Sequence, residues 1–137
     1  MTGNRHHVES DKHFFELYYV QHNQTYPGEH KTNGQTDITD ITAALAFVRQ
    51  LTEYTDINGN VSTKYNPVTA RYGPYIKGGQ LPINPFDESR TVTCDVTNTD
   101  LTVKASDGSS SWKFYVKTGI LLANDDGTTN GMPHADL

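Results

Sequence analysis

The apolar residues of this chain change spacing along its length, from a helical period in the first half to a period of two after Asp87. A helix gathers its apolar face at i, i+3 and i+4, whereas a half-buried strand alternates. Helices first and strands afterwards predict an α+β domain with segregated layers. The stretch Val8–His22 reads V-E-S-D-K-H-F-F-E-L-Y-Y-V-Q-H, with no Gly or Pro inside and a stop at Asn23 and Pro27-Gly28. Phe14, Leu17, Tyr18 and Val20 make its apolar face, with Phe15 and Tyr19 beside them. A second helix opens near Asp37–Asp40, whose carboxylates suit a helix N-terminus. Ile41, Ala44, Leu45, Val48 and Leu51 share its apolar stripe, while Arg49, Gln50 and Glu53 fall off it.

Between Asn58 and Phe86 both periods are lost. Pro67, Pro74, Pro82 and Pro85 interrupt the chain, and Gly73, Gly78 and Gly79 permit tight approaches. Tyr65, Tyr72, Tyr75 and Phe86 could pin so long a loop to a core. Thr91–Thr97, Leu101–Ala105, Ser111–Val116 and Ile120–Ala123 are then β-branched or aromatic, with turns at Asn98–Asp100 and Ser106–Gly108. The expected architecture is a helix ending near His22 that packs across a four-stranded antiparallel sheet. The Asp40–Tyr54 helix lies in the connecting loop. Phe14 or Phe15, Leu17, Leu45, Val48, Trp112 and Tyr115 should supply the core or its edges.

Composition narrows the function. A chain of 137 residues suits one domain, and 34% hydrophobic residues allow only a small core. Eight Tyr and five Phe still argue against disorder. A net charge of -5 opposes a general affinity for nucleic acid, whose phosphates demand a basic face. No apolar run reaches the roughly 18 residues that span a bilayer. Met1–Asp11 is polar and lacks the apolar centre of a signal peptide, which read literally makes the chain cytosolic. The first helix, however, has a clear end and an indefinite start. Ser10 and Asp11 could cap it, yet Val8 and Glu9 already read as helical. A helix cut within its length leaves that mark, and the expectation is that the natural N-terminus has been removed ahead of Met1.

Chemistry-bearing constellations are sparse. Cys94 stands alone, which excludes an internal disulfide and a multi-cysteine zinc site, and Val92 and Val96 around it predict a strand thiol. Six histidines invite a metal reading. His6 and His7 belong to the polar N-terminus. Glu9 and His13 could share a helix face but supply two ligands where zinc needs three or four. His22, His30 and His134 have no partner at ligand spacing, so all six read as surface residues. Ser109-Ser110-Ser111 has no nucleophile elbow around it, and no phosphate loop, dinucleotide fingerprint or H-E-x-x-H occurs. Asp87 and Glu88 are adjacent in a turn and should point apart rather than form a glycosidase pair. No enzyme is expected.

Two oxygen-rich loops remain. Asp56-Ile57-Asn58-Gly59-Asn60 places its glycine too early for an EF-hand and reads as a helix-ending turn. In the tail, Asn124, Asp125, Asp126, Asn130 and Asp136 could gather around a hard cation. Alternatively Met132 and Leu137 pin the tail to the sheet and leave the aspartates in water. Asn23-Gln24-Thr25 and Asn60-Val61-Ser62 match the glycosylation acceptor pattern, which carries meaning only in a eukaryotic source.

Three stretches together point to a family. L-Y-Y-V-Q-H-N-Q-T-Y-P-G, Leu17–Gly28, resembles the close of the long N-terminal helix of type II secretion pseudopilins. Y-G-P-Y-I-K-G-G-Q-L-P-I-N-P-F, Tyr72–Phe86, is similar to the G-P-Y-L and I-P-x-N-P-F segments before their sheet. S-W-K-F-Y-V-K-T-G-I-L-L-A-N-D, Ser111–Asp125, resembles their W-x-Y-x-x-x-T-G-x-I-x-A-N hairpin. The likeness is to the pseudopilin-like proteins of planctomycete-type bacteria and covers the chain from Leu17 onward.

The resemblance implies a pilin-like fold, with residues 1–25 as the second half of a truncated N-terminal helix and 26–137 as the globular head. It implies a structural subunit of a pseudopilus or type IV pilus-like filament, assembled helically from copies of itself and serving protein secretion. The full-length protein would be anchored in the inner membrane by the missing helix and face the periplasm or cell surface. No nucleic acid or small-molecule substrate is implied. It also implies calcium in the C-terminal loop, held by Asp125, Asp126 and Asp136. The alternative is an extracellular binding module, an adhesin or carbohydrate-binding domain, because exposed tyrosines serve both.

Overall fold

The computed structural model describes residues 14–136, without the side chains of Lys77 and Asp136. His6, His7, Glu9, Ser10, Asp11, His13 and Leu137 therefore lie outside the described residues. Helix α1 (Phe14–Gln21) is the described part of the first expected helix. Asn23 and Gln24 end it with φ of 57° and 61°, and the Gln24 N–H closes on the Tyr19 carbonyl at 2.9 Å. Helix α2 (Asp40–Thr52) opens on a reciprocal cap: Thr39 Oγ1 accepts from the Thr42 N–H, and Thr42 Oγ1 accepts from the Thr39 N–H. A short hairpin of β1 (Tyr54–Thr55) and β2 (Val61–Ser62) follows.

The main sheet contains β3 (Val92–Asp95), β4 (Trp112–Tyr115) and β5 (Ile120–Ala123), in that order. β4 and β5 are antiparallel, but β3 runs parallel to β4. The class is α+β as expected, while the sheet is three-stranded and mixed rather than four-stranded and antiparallel. The strand that fails is Leu101–Ala105. Asp100 Oδ1 takes both the N–H and the hydroxyl of Thr102, turning the chain where a ladder should begin. Farther on, Ala105 bonds to the Tyr115 hydroxyl through its N–H and carbonyl instead of to a neighbouring strand. Leu101 is left 70% exposed. Without a middle strand, the 96–111 connection crosses over and returns Trp112 in the same direction as Val92. The tail forms the hairpin β6 (Thr128–Thr129) and β7 (Met132–Pro133) and a final 3-10 turn, His134–Asp136.

Both helices cover the sheet face that carries Phe114. The Phe114 ring lies 5.2 Å from Phe15 of α1 and 4.5 Å from Phe47 of α2, centroid to centroid. Trp112, Tyr115 and Phe15 are buried as expected, and Val48 packs against the core. Leu17 and Leu45 are not in it, being 53% and 55% exposed. The buried stripe of α2 is Ala43, Ala46, Phe47, Gln50 and Leu51. It is rotated from the expected one because α2 carries apolar residues on two faces and Phe47 buries the largest area. Gln50 comes inside with it, and its amide takes up loop groups that would otherwise be orphaned. Gln50 Oε1 accepts from the Gly28 N–H at 2.9 Å, and Nε2 donates to the carbonyls of His30, Lys31 and Gly59.

Candidate functional site

The three motif stretches, distant in sequence, meet in space. The Tyr26 ring from the helix exit lies directly on Gly119 of the β4–β5 turn, where a Cβ would collide with it. Gly119 has φ +70°, so the turn needs glycine on both counts. Trp112 Nε1 donates to the Pro82 carbonyl at 2.8 Å, which ties the proline-rich loop to β4. Asn84, fully buried, donates from Nδ2 to the Ser111 carbonyl at 2.7 Å and to Asp125 Oδ1 at 3.3 Å. Its Oδ1 accepts from the Phe86 N–H. Asn124 does the same work at the end of β5. Its Nδ2 donates to Asp107 Oδ1 and Ser110 Oγ at 2.9 Å each, and its Oδ1 accepts from the Asp107 N–H. Hydrogen bonds from Ser109 and Asn124 hold the Asp107 carboxyl down at about 2.

The tail is closed by a histidine. His134 is buried with its ring flat on Phe86, 3.6 Å between centroids. Nδ1 meets Asp125 Oδ2 at 2.5 Å and Nε2 meets Thr129 Oγ1 at 2.7 Å. His22 is equally enclosed. It stacks on Tyr18 at 3.5 Å, and its Nδ1–H donates to the Tyr18 carbonyl while Nε2 accepts from Thr55 Oγ1. Burial lowers its pKa to about 4, so the ring is neutral. Neither histidine is the surface residue expected from sequence; among the described residues His30 fits that reading in part, half-buried and bonding the Asn58 carbonyl. The error has a physical source: an amide or imidazole that meets all its hydrogen bonds is stable inside, and those partners are invisible in local sequence. The same blind spot hid Gln50, Asn84 and Asn124. Only Asn84 carried a signal, the Asn-Pro turn of Ile83–Phe86.

Of the predicted calcium ligands, Asp125 and Asp126 are engaged with protein groups. Both oxygens of Asp125 already accept, from His134 and Asn84. Asp126 is exposed, with φ +60°, and accepts from the Ser106 hydroxyl at 3.2 Å. Asp136 lies in the final turn and its carboxylate is outside the described residues. A hard cation takes six to eight oxygens. Among the described residues no three His, Cys, Asp or Glu side chains are grouped to hold a metal. The Asp56 loop is a turn, its carboxylate accepting from the N–H groups of Asn58 and Asn60. Asp87 caps the Ser89 N–H. Cys94 is buried in β3, and burial, reinforced by Asp40 and Asp95, pushes its thiol pKa up, away from reactivity.

Two surface features remain. α1 docks through Phe15 and Tyr18 and leaves Leu17 and Val20 outward, Val20 at 72% exposure. An open groove of about 500 Å³ is lined by Phe14, Tyr75, Ile76, Leu81, Pro82 and Arg90. Among the described residues no helix is long and apolar enough to cross a membrane. No protein family, curated protein or solved structure matches the chain.

Proposed function

We propose that this chain is the head of a pilin-like filament subunit, a structural part of a type II secretion pseudopilus or a related type IV pilus-like filament, and not an enzyme. One observation carries the reading: the residues that make the three motif stretches recognisable are spent on joining those stretches. Tyr26 closes on Gly119, Trp112 on Pro82, and Asn84 on Ser111 and Asp125. Motifs kept for catalysis would aim their polar groups at a shared cavity. These aim at one another, as parts of a head that must keep its shape.

The outer face of α1 supports the same reading. Leu17 and Val20 give it an apolar strip that the head does not cover. Neighbouring subunit helices would cover such a strip in a filament core, and the partners would be further copies of the chain. The subunit would then work in the periplasm or at the cell surface, reached through an inner-membrane segment ahead of the head. A second reading, an adhesin or carbohydrate-binding module, draws on the Arg90 groove, where aromatic walls and one guanidinium stand together.

The coding sequence upstream separates them. A prepilin-type processing site followed by about 20 apolar residues supports the filament, and an ordinary secretory signal supports the binder. In cells producing the full-length protein, Leu17→Ser with Val20→Ser is expected to abolish sheared filaments while the purified head keeps its melting curve. Filaments of normal yield from that variant would overturn the assignment of the α1 strip.

A further inference from the structure

Charge is unevenly spread along this chain. No Asp or Glu occurs between Asp56 and Asp87, although the protein as a whole stands at -5, and that stretch carries Lys64, Arg71 and Lys77. The fold sets this stretch at one end of α2 and a group of carboxylates at the other. At the C-terminal end, the N–H groups of Tyr75 and Ile76 donate to the Leu51 carbonyl, and Thr55 exchanges two backbone bonds with Tyr72. At the N-terminal end, Asp40 Oδ1 accepts from the Val96 N–H at the exit of β3. The 13 residues of α2 lie between them, about 20 Å of helix.

The carboxylate end carries an open groove of about 560 Å³ lined by Asp40, Ile41, Ala44, Asp95, Asp107 and one cation, Lys113. It follows the outer edge of the sheet, since β3 pairs with β4 alone among the described residues. Ile41 stands 83% exposed at its lip. Lys113 lies 3.8 Å from Asp107, whereas Asp40 and Asp95 have no ion pair among the described residues. The cationic end carries a tight turn. Asn66 and Ala70 exchange backbone bonds, and Asn66 Oδ1 accepts from the N–H groups of Val68 and Thr69. Val68 is 79% exposed within it, with exposed Lys64 and Arg71 on either side. An apolar tip between two cations complements an apolar groove edged by carboxylates.

We propose that the Lys64–Arg71 turn of one copy seats in the α2–β3 groove of a second copy, with Val68 against Ile41 and Ala44, and Lys64 and Arg71 facing Asp40 and Asp95. The two surfaces lie at opposite ends of one helix, so the contact is heterologous and repeats as an open row rather than closing on a two-fold axis. A contact of one turn and one groove is small and weak on its own. It would gain from the high effective concentration of subunits tethered in a filament. The inference deepens the filament reading by naming a head-to-head contact, and rests on it for its purpose, but the contact itself can be measured on the soluble chain.

The test is sedimentation velocity on the full 137-residue chain at millimolar concentration, with zero-length carbodiimide coupling of mixed light and heavy-isotope copies. Concentration-dependent association is expected, with Lys64 joined to Asp40 or Asp95 of another copy. It should weaken as salt rises from roughly 0.01 to 1 M and the Debye length falls from about 30 to about 3 Å. Lys64→Glu with Arg71→Glu, and separately Ile41→Lys, should each weaken self-association by about tenfold or more, because the first sets like charges face to face and the second sets a charge against Val68 and adds a cation beside the turn's own two. All three positions are exposed, so the melting curves should not move. Mixing the two variants should restore association, but only as pairs, since the intact Lys64–Arg71 turn of the Ile41→Lys variant then meets the intact groove of the double variant. A chain that stays monomeric at low salt, variants without effect, or coupling through other surfaces would each overturn the contact. An upstream processing site with no head association would leave the filament standing and remove only this contact; head association without that site would do the reverse.

Discussion

His22 at the end of α1 and His134 in the tail are built alike and placed differently. Each is buried, each engages both ring nitrogens, and each lies flat on an aromatic ring, Tyr18 or Phe86. The partners differ. His22 meets a carbonyl and a hydroxyl, burial outweighs the pull of the Tyr18 carbonyl and of Asp56, and its pKa falls to about 4. His134 meets the carboxylate of Asp125. Their places in the fold differ as well. The Tyr72 and Tyr75 rings lie 5.0 and 5.9 Å from His22, so it joins α1, β1 and the proline-rich loop, whereas His134 fastens the tail hairpin to Phe86 and Asp125. Stacking and hydrogen bonds let an imidazole go inside, and its neighbours decide how much structure depends on it.

Removing each ring tests that difference most directly. His22→Ala leaves a cavity beside Tyr18 and an unpaired Thr55 hydroxyl, with an expected global loss of about 3 kcal/mol in urea unfolding. A loss under about 1 kcal/mol would show that the two sites are equivalent after all.

Acid comes next, with an expected loss of up to about 3 kcal/mol as pH falls from about 6.5 to about 4. The folded pKa of His22, about 4, lies below its ordinary value of 6.5. The unfolded chain therefore binds the proton first, and stability present above about 6.5 drains away through that window. Urea midpoints across the range should show this component vanish in His22→Gln. A profile unchanged in that variant would break the assignment to His22.

His134→Ala is the milder lesion. It should cost about 1–2 kcal/mol and act locally, speeding hydrogen exchange in the β6–β7 hairpin while the α2 amides keep their protection. Uniform loss of protection would make the tail part of the main cooperative unit. The smallest effect expected is that of calcium. With both Asp125 oxygens already accepting hydrogen bonds, melting curves in millimolar calcium and in chelator should superimpose. A calcium-dependent rise in Tm would show that the cation opens the His134–Asp125 pair and takes its place.

Much of the local structure was legible beforehand. The start of α2 near Asp40, the Asp56 turn and the strand position of Cys94 are all readable from local pattern, although the cap of α2 is Thr39 with Thr42 rather than the expected carboxylates. The candidate site was legible only as motifs. Asn84 and Asn124 were seen as parts of recognisable stretches, not as the buried amides that lock those stretches together. An asparagine's partners 27 and 41 residues away leave no trace beside it.

The sequence by itself determined the α+β class, the order of helices before the main sheet, and the approximate places of α2, β3, β4 and β5. The periodicity of apolar residues and the chemistry of caps and turns are local properties, and they survive translation into structure. Only the tertiary structure decided which face of α2 goes inside, which histidines are enclosed, and in which direction β3 runs. Leu101–Ala105 has the composition of a strand, yet no open edge receives it and Asp100 turns it away. Strand pairing needs a partner edge supplied from elsewhere in the chain, and burial of a polar side chain needs hydrogen-bond partners supplied the same way. Both are settled by what the rest of the fold brings within reach.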